Sequence, residues 1–194
     1  MKNLLKFLYP TLILAAICLI VSLALSSANA VTVDRIAKLE AEKTEKAMSR
    51  VLEAETYTEK TVEKDGKELI YYEACDGDTV KGFIFITSAN GYGGEVKVMT
   101  AISEGIPRSI KAVEILDVSS ETPGLGQNAT NEEFYGQFAE KSAAMTAVKS
   151  GTAKNTDEIN AITGATITSR AVTKAVNEAL ALCEQIKTEV GTNE

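Results

Sequence analysis

The sequence predicts an α+β fold: an N-terminal transmembrane helix, then one extracytoplasmic domain with a mainly antiparallel sheet and packed helices. Three observations carry this. Residues 7–28 are uncharged and apolar, the middle of the chain is a series of short strand-like segments separated by turn residues, and a long helix pattern with one apolar stripe closes it. Strands followed by helices, without strict alternation, mark the α+β class, and the helices are expected on one side of the sheet.

Residues 1–30 read as a membrane anchor. The stretch LYPTLILAAICLIVSLAL is long enough to cross a bilayer core, which takes about 20 apolar residues. Lys2 and Lys6 precede it, and the first acidic residue, Asp34, follows it. Flanking positive charge marks the cytoplasmic side. The expected topology is single-pass in the cell (inner or cytoplasmic) membrane, with the N-terminus inside and the folded domain outside. The rival is a cleaved signal peptide, with Ala28-Asn29-Ala30 as the cleavage site; the apolar run is long for a signal peptide and favours retention. Residues 31–60 read as an amphipathic helix or stalk, with Asp34 as a cap and Ile36, Leu39, Met48, Val51 and Leu52 at roughly helical spacing. The domain proper is expected over 61–194.

Four segments read as strands: Glu68–Cys75, Lys81–Thr87, Glu95–Ile102 and Ser109–Asp117, all rich in β-branched and aromatic residues. Turn signals at Asp65-Gly66, Asp76-Gly77-Asp78, Asn90–Gly94 and Gly105-Ile106-Pro107 separate them, and connections this short favour antiparallel neighbours. Val96 and Val98 alternate with Glu95 and Lys97, so one face of that strand should be wet. Asn131 opens a helical stretch with acids in its first turn, Ser150–Asp157 reads as a linker, and a helix is expected over 169–187. Its stripe is Ala171, Val172, Ala175, Val176, Ala179, Leu182, Cys183 and Ile186.

Composition narrows the chemistry. With 20 basic against 27 acidic residues the net charge is −7, which disfavours a nucleic-acid partner. The absence of His removes imidazole catalysis and His-ligated zinc. Three Cys without a CxxC pair supply no iron–sulfur or Cys-zinc motif, and no metal site is expected.

Two segments exceed what structure alone requires. In Thr163-Gly164-Ala165-Thr166-Ile167-Thr168-Ser169, four hydroxyl residues surround a glycine directly before the strongest helix. One hydroxyl would cap that helix, and helix N-termini also bind phosphate. Glu121-Thr122-Pro123-Gly124-Leu125-Gly126 contains the Pro-Gly of a type II turn, with a leucine between two glycines that the turn does not explain. The Asn90–Gly94 loop carries Tyr92, which reads either as a hairpin tip or as a ring that stacks on a ligand.

Thr163-Gly164-Ala165-Thr166 resembles the [S/T]-G-A-T flavinylation motif of the FMN-binding domain family. The anchor, NGYGGEVKVMTAI, ETPGLG and ITGATITSRAV, in that order, resemble the branch of that family found as small membrane subunits in Rnf-type electron-transport complexes and in sodium-translocating NADH:quinone reductases. The resemblance implies FMN bound covalently through a phosphoester to Thr166, installed by a flavin transferase. Thr163, Gly164, Ala165, Ile167 and Thr168 would support it, with Thr168 as the next candidate acceptor. It places Glu121, Thr122, Gly124, Leu125 and Gly126 against the flavin ring, with Tyr92 in reach. Asn160 stands three positions before Thr163, where the family often carries an acid. The implied function is a one-centre electron carrier in a redox-driven ion-translocating ferredoxin:NAD+ oxidoreductase, with other membrane subunits of the complex as partners. The alternatives are a free-standing flavin shuttle or reductase and a non-redox anchored binding domain.

Overall fold

The structure is a computed structural model that describes residues 2–64, 67–105 and 108–191; the turn signals at Asp65-Gly66 and Ile106-Pro107 lie outside these. Helix α1 runs unbroken over Lys2–Val51. The expected second start at Asp34 is absent: nothing between Ala28 and Asp34 is a glycine or proline, so the helix continues and Asp34 caps nothing. From Tyr9 onward it is the one helix among the described residues long and apolar enough to cross a membrane. The chain divides into two compact units, residues 1–44 and 45–194.

The second unit is built on a five-stranded antiparallel sheet in the order β1-β2-β3-β4-β5: Thr56–Lys64, Lys67–Asp76, Thr79–Asn90, Glu95–Ser103 and Ile110–Asp117. The four expected strands are β2 to β5. Strand β1 is additional; it pairs with β2 along its whole length, so the chain leaves the helical state at Val51 and is extended by Thr56. A 3-10 turn at Gly126–Thr130, the short helix α2 (Glu132–Tyr135) and a parallel pair, β6 (Thr146–Val148) and β7 (Glu158–Asn160), follow. Helix α3, Thr166–Gly191, starts three residues earlier than the apolar stripe predicts.

Helices cover both faces of the sheet, which corrects the one-sided expectation. On β4, Val96, Val98 and Ile102 face α3, where they pack with Val172, Val176, Ala179 and Leu182. Met99 and Ala101, of opposite parity, pack with Ile84 and with Ala47, Met48 and Val51 from the last turns of α1. The wet face suggested by Glu95 and Lys97 therefore lasts only to Lys97; from Met99 to Ile102 every residue of β4 is buried. Thr87 Oγ1 donates to the Ala175 carbonyl at 2.9 Å and ties β3 to α3.

Cys75 and Cys183 are both free thiols. Cys183 is 2% exposed, and burial pushes its thiol up to about 11, against the opposing pull of Arg108. The unfolded chain loses this proton first, near 9.0, so the associated stability is complete below that pH and is lost as pH rises from 9.0 to about 11. At neutral pH an alkylating reagent is expected to label half-buried Cys75 well before Cys183, as peptide mapping of the native protein would read. Equal labelling rates would contradict this burial.

Candidate functional site

Three glycine-bearing segments converge at the N-terminus of α3. The first is the four-residue hairpin loop Gly91–Gly94 between β3 and β4, closed by Gly91 N–H donating to the Gly94 carbonyl at 2.7 Å. A Cβ on Gly93 would overlap the Ser120 carbonyl oxygen, so only glycine lets this loop lie against the next segment. Tyr92 at the tip is 72% exposed and stacks on no other ring among the described residues.

The second segment is Glu121–Gly126. Leu125 N–H donates to the Thr122 carbonyl at 3.1 Å, and Gly124 has φ +74°, which is the hydrogen-bonded type II turn that Pro123-Gly124 predicts. The third repeats this geometry: Ala165 N–H donates to the Ile162 carbonyl at 3.0 Å, with Gly164 at φ +78°. The two turns touch, because a Cβ on Gly164 would lie 3.0 Å from Leu125 Cδ2. Leu125 itself is 41% exposed, an apolar surface beside the TGAT turn.

The hydroxyls of 163–169 divide into two pairs. Thr163 and Thr166 are exposed. Thr168 and Ser169 are buried and engaged: Thr168 Oγ1 donates to Glu121 Oε2 at 2.6 Å, while Ser169 Oγ donates to the Ala165 carbonyl and accepts from Ile162 N–H, both at 2.9 Å. Ser169 thus ties the turn to the helix but caps none of the first-turn N–H groups. Thr166 is the first residue of α3; Ser169 N–H to the Ala165 carbonyl, 3.0 Å, is the first helical bond. The N–H groups of Thr166, Ile167 and Thr168 accordingly have no intrahelical acceptor, and the positive end of the helix dipole lies beside the Thr166 hydroxyl.

Glu121 is not a surface residue. It is 2% exposed, and its other oxygen, Oε1, accepts from Gly93 N–H at 3.0 Å. Ala165 and Gly126 are also buried, whereas Thr122, Gly124 and Ile167 are exposed around the rim. Asn160 is engaged by its neighbours. Its Oδ1 accepts from Ala153 N–H at 3.0 Å, and its backbone is held in both directions by the Gln137 amide. A cleft of about 420 Å³, lined by Asn128, Asn131, Gln137, Asn160 and Thr163 among others, opens beside the third segment.

Sequence reasoning missed Arg170. It is exposed, forms no ion pair among the described residues, and stands one helical turn beyond Thr166 on the same face. Helix side chains lean toward the N-terminus, which from Arg170 is the direction of Thr166. The i, i+4 spacing from Thr166 was the available signal.

Residues 91–181 match the FMN-binding domain model, a span that contains the exposed hydroxyl at the helix N-terminus, the two glycine turns and the apolar rim. The fold also occurs in solved structures of the NqrC component of Na+-translocating NADH-quinone reductases. The Shewanella oneidensis protein gives a TM-score of 0.53 at 22% identity, covering 68% of this chain and 70% of its own. The Parabacteroides distasonis protein gives 0.52 at 21%, covering 62% and 68%. Among curated relatives, the G subunit of the Na+-translocating ferredoxin:NAD+ oxidoreductase complex of Acetobacterium woodii is 33% identical over 193 residues, 90% of each chain. The G subunit of the proton-translocating complex of Clostridium ljungdahlii is 42% identical over 124 residues, 62% of each chain. The G subunit of an ion-translocating oxidoreductase complex of Methanosarcina acetivorans is 33% identical over 148 residues, covering 73% of this chain and 76% of that one. The chain belongs to the family formed by the G subunits of these ion-translocating oxidoreductase complexes.

Proposed function

We propose that this chain is the membrane-anchored electron-carrier subunit of a ferredoxin:NAD+ oxidoreductase complex and carries FMN esterified through its phosphate to Thr166 Oγ1. The observation that carries the attachment site is the division of the hydroxyls: Thr166 is exposed at the first residue of α3, whereas Thr168 and Ser169 are buried and hydrogen-bonded. The residues fit the group. The first-turn N–H groups and Arg170 offer positive partners for the phosphodiester oxygens. Leu125, with Ile167 at 52% exposure, provides apolar surface for the ring, and the amide-lined cleft beside Thr163 offers polar contacts. Bound FMN supplies the electron transfer; the protein holds it, orients it and sets its surroundings.

Attachment would form an Oγ1–P bond at Thr166 as the phosphoanhydride of a flavin dinucleotide breaks in a flavin transferase, with the nucleoside monophosphate leaving and the hydroxyl proton passing to solvent. The test is the intact mass of protein made in cells that have the transferase: one FMN less one water is expected, together with a fluorescent band on a denaturing gel under ultraviolet light. Unmodified mass would reject the attachment. Co-purification with other membrane subunits supports the complex over a free-standing shuttle.

Lys2 and Lys6 ahead of the apolar run favour a cytoplasmic N-terminus and an extracytoplasmic FMN domain. A reporter active only in the cytoplasm, fused after Glu194, is expected to be silent; an active one would reverse the orientation.

A further inference from the structure

We propose that Glu121 is a positioning residue for flavin attachment: its buried carboxylate clamps the first turn of α3 to the two preceding glycine segments and fixes how the Thr166 hydroxyl is presented. The inference rests on Thr166 being the acceptor.

A carboxylate 2% exposed is costly to bury, and Glu121 has no ion-pair partner among the described residues. What holds it is hydrogen bonding from two distant segments. Gly93 N–H donates to Oε1 at 3.0 Å and the Thr168 hydroxyl donates to Oε2 at 2.6 Å. The space around it is made by glycines: a Cβ on Gly91 would overlap Oε1, and one on Gly126 would lie 2.5 Å from Oε2 and 2.8 Å from Thr168 Oγ1. Three segments far apart in sequence are therefore shaped around a single carboxyl group.

Helix geometry turns this contact into positioning. Residues two apart in a helix point roughly 200° apart around its axis. Thr168, held inward by Glu121, therefore sets the rotation of the first turn, and that rotation directs Thr166 outward. The N-cap turn beneath it is anchored separately by Ser169, so translation and rotation of the helix start have different fasteners.

The clamp works through length and hydrogen bonding rather than charge. A glutamine at 121 can accept from Gly93 N–H with its oxygen and donate to Thr168 Oγ1 with its amide, because the threonine hydroxyl both donates and accepts. Aspartate, one methylene shorter, cannot span both partners, and alanine leaves the Gly93 N–H and the Thr168 hydroxyl without either bond.

The test uses the full-length chain co-expressed with a flavin transferase, with Thr166→Val as the unloadable control. Initial loading is read by intact mass. Glu121→Gln is expected within about twofold of the wild type, whereas Glu121→Ala, Glu121→Asp and Thr168→Val load about tenfold or more slowly, in line with other supporting-residue losses. Ile84→Val, a core substitution on the sheet face opposite α3, serves as the destabilised control and is expected to load normally. In unloaded protein, Gly93 amide exchange is expected to speed up in Glu121→Ala but not in Glu121→Gln. Normal loading by Glu121→Ala, equal slowing by Ile84→Val, or failure of Glu121→Gln to rescue would each overturn the proposal. A wild type that gains no mass rejects the attachment reading and the loading role with it; Gly93 exchange still decides whether the clamp exists.

Discussion

Thr166→Val is expected to abolish the attached flavin completely while leaving the fold intact. The ester needs an oxygen at this position, and valine keeps the branched shape without it. The side chain is exposed at the first residue of α3, so the substitution opens no cavity. Its stability cost should stay within about 0.5 kcal/mol, the range for surface changes. Intact mass and a thermal midpoint on the same sample separate the two effects. Thr166→Ser keeps the oxygen and is expected to load in part. If the valine variant still carries one FMN, the acceptor is elsewhere. Thr163 is then the first residue to replace, because the buried Thr168 hydroxyl is already committed to Glu121.

Gly164→Val should also eliminate loading, by a different route. Gly164 sits at φ +78°, where a β-branched residue is strained, and any Cβ there would press to 3.0 Å from Leu125 Cδ2. The left-handed backbone costs about 1–2 kcal/mol, and the added branches displace the Leu125 side chain from the TGAT turn. Gly151→Ala is the control for the backbone term alone: φ is +72° and nothing lies within 4 Å of the added carbon. A smaller loss of stability at Gly151 than at Gly164, with loading lost only at Gly164, is the expected pattern. Full loading by Gly164→Val would show that contact between the turns is dispensable.

Much of this arrangement was legible in the residues because the signals are local. The apolar stripe of α3, the β-branched runs of β2 to β5 and the Pro123-Gly124 turn each announce themselves within a few positions. Strand β1 was not legible. Val62 is its one buried residue, so TYTEKTVEK has no apolar alternation to read; it is a strand because β2 offers it an edge. The three-residue pair β6 and β7 is too short to carry a period, and its parallel register joins segments twelve residues apart. The continuity of α1 was obscured by a change of composition near Asp34, which looks like a boundary but contains nothing that breaks a helix. Of the candidate site, the residue types were readable, but their depth was not. Glu121 stands in the ETPGLG motif, but its burial depends on Gly93, 28 residues earlier, and Thr168, 47 residues later.

The two-sided cover of the sheet bears on how the domain can be separated from its anchor. Ala47, Met48, Val51 and Leu52 form half of the core cluster over Ile84, Met99 and Ala101. A protease cut, or a soluble version designed to begin, at residue 56 or 61 would strip that layer and expose these three side chains to water, an apolar patch of the kind that causes aggregation. A cut before Glu45 leaves the layer in place. The end of the segment that looks like a spacer, from Glu45 onward, is therefore part of the folded body, and release of the domain in native form requires cleavage before it.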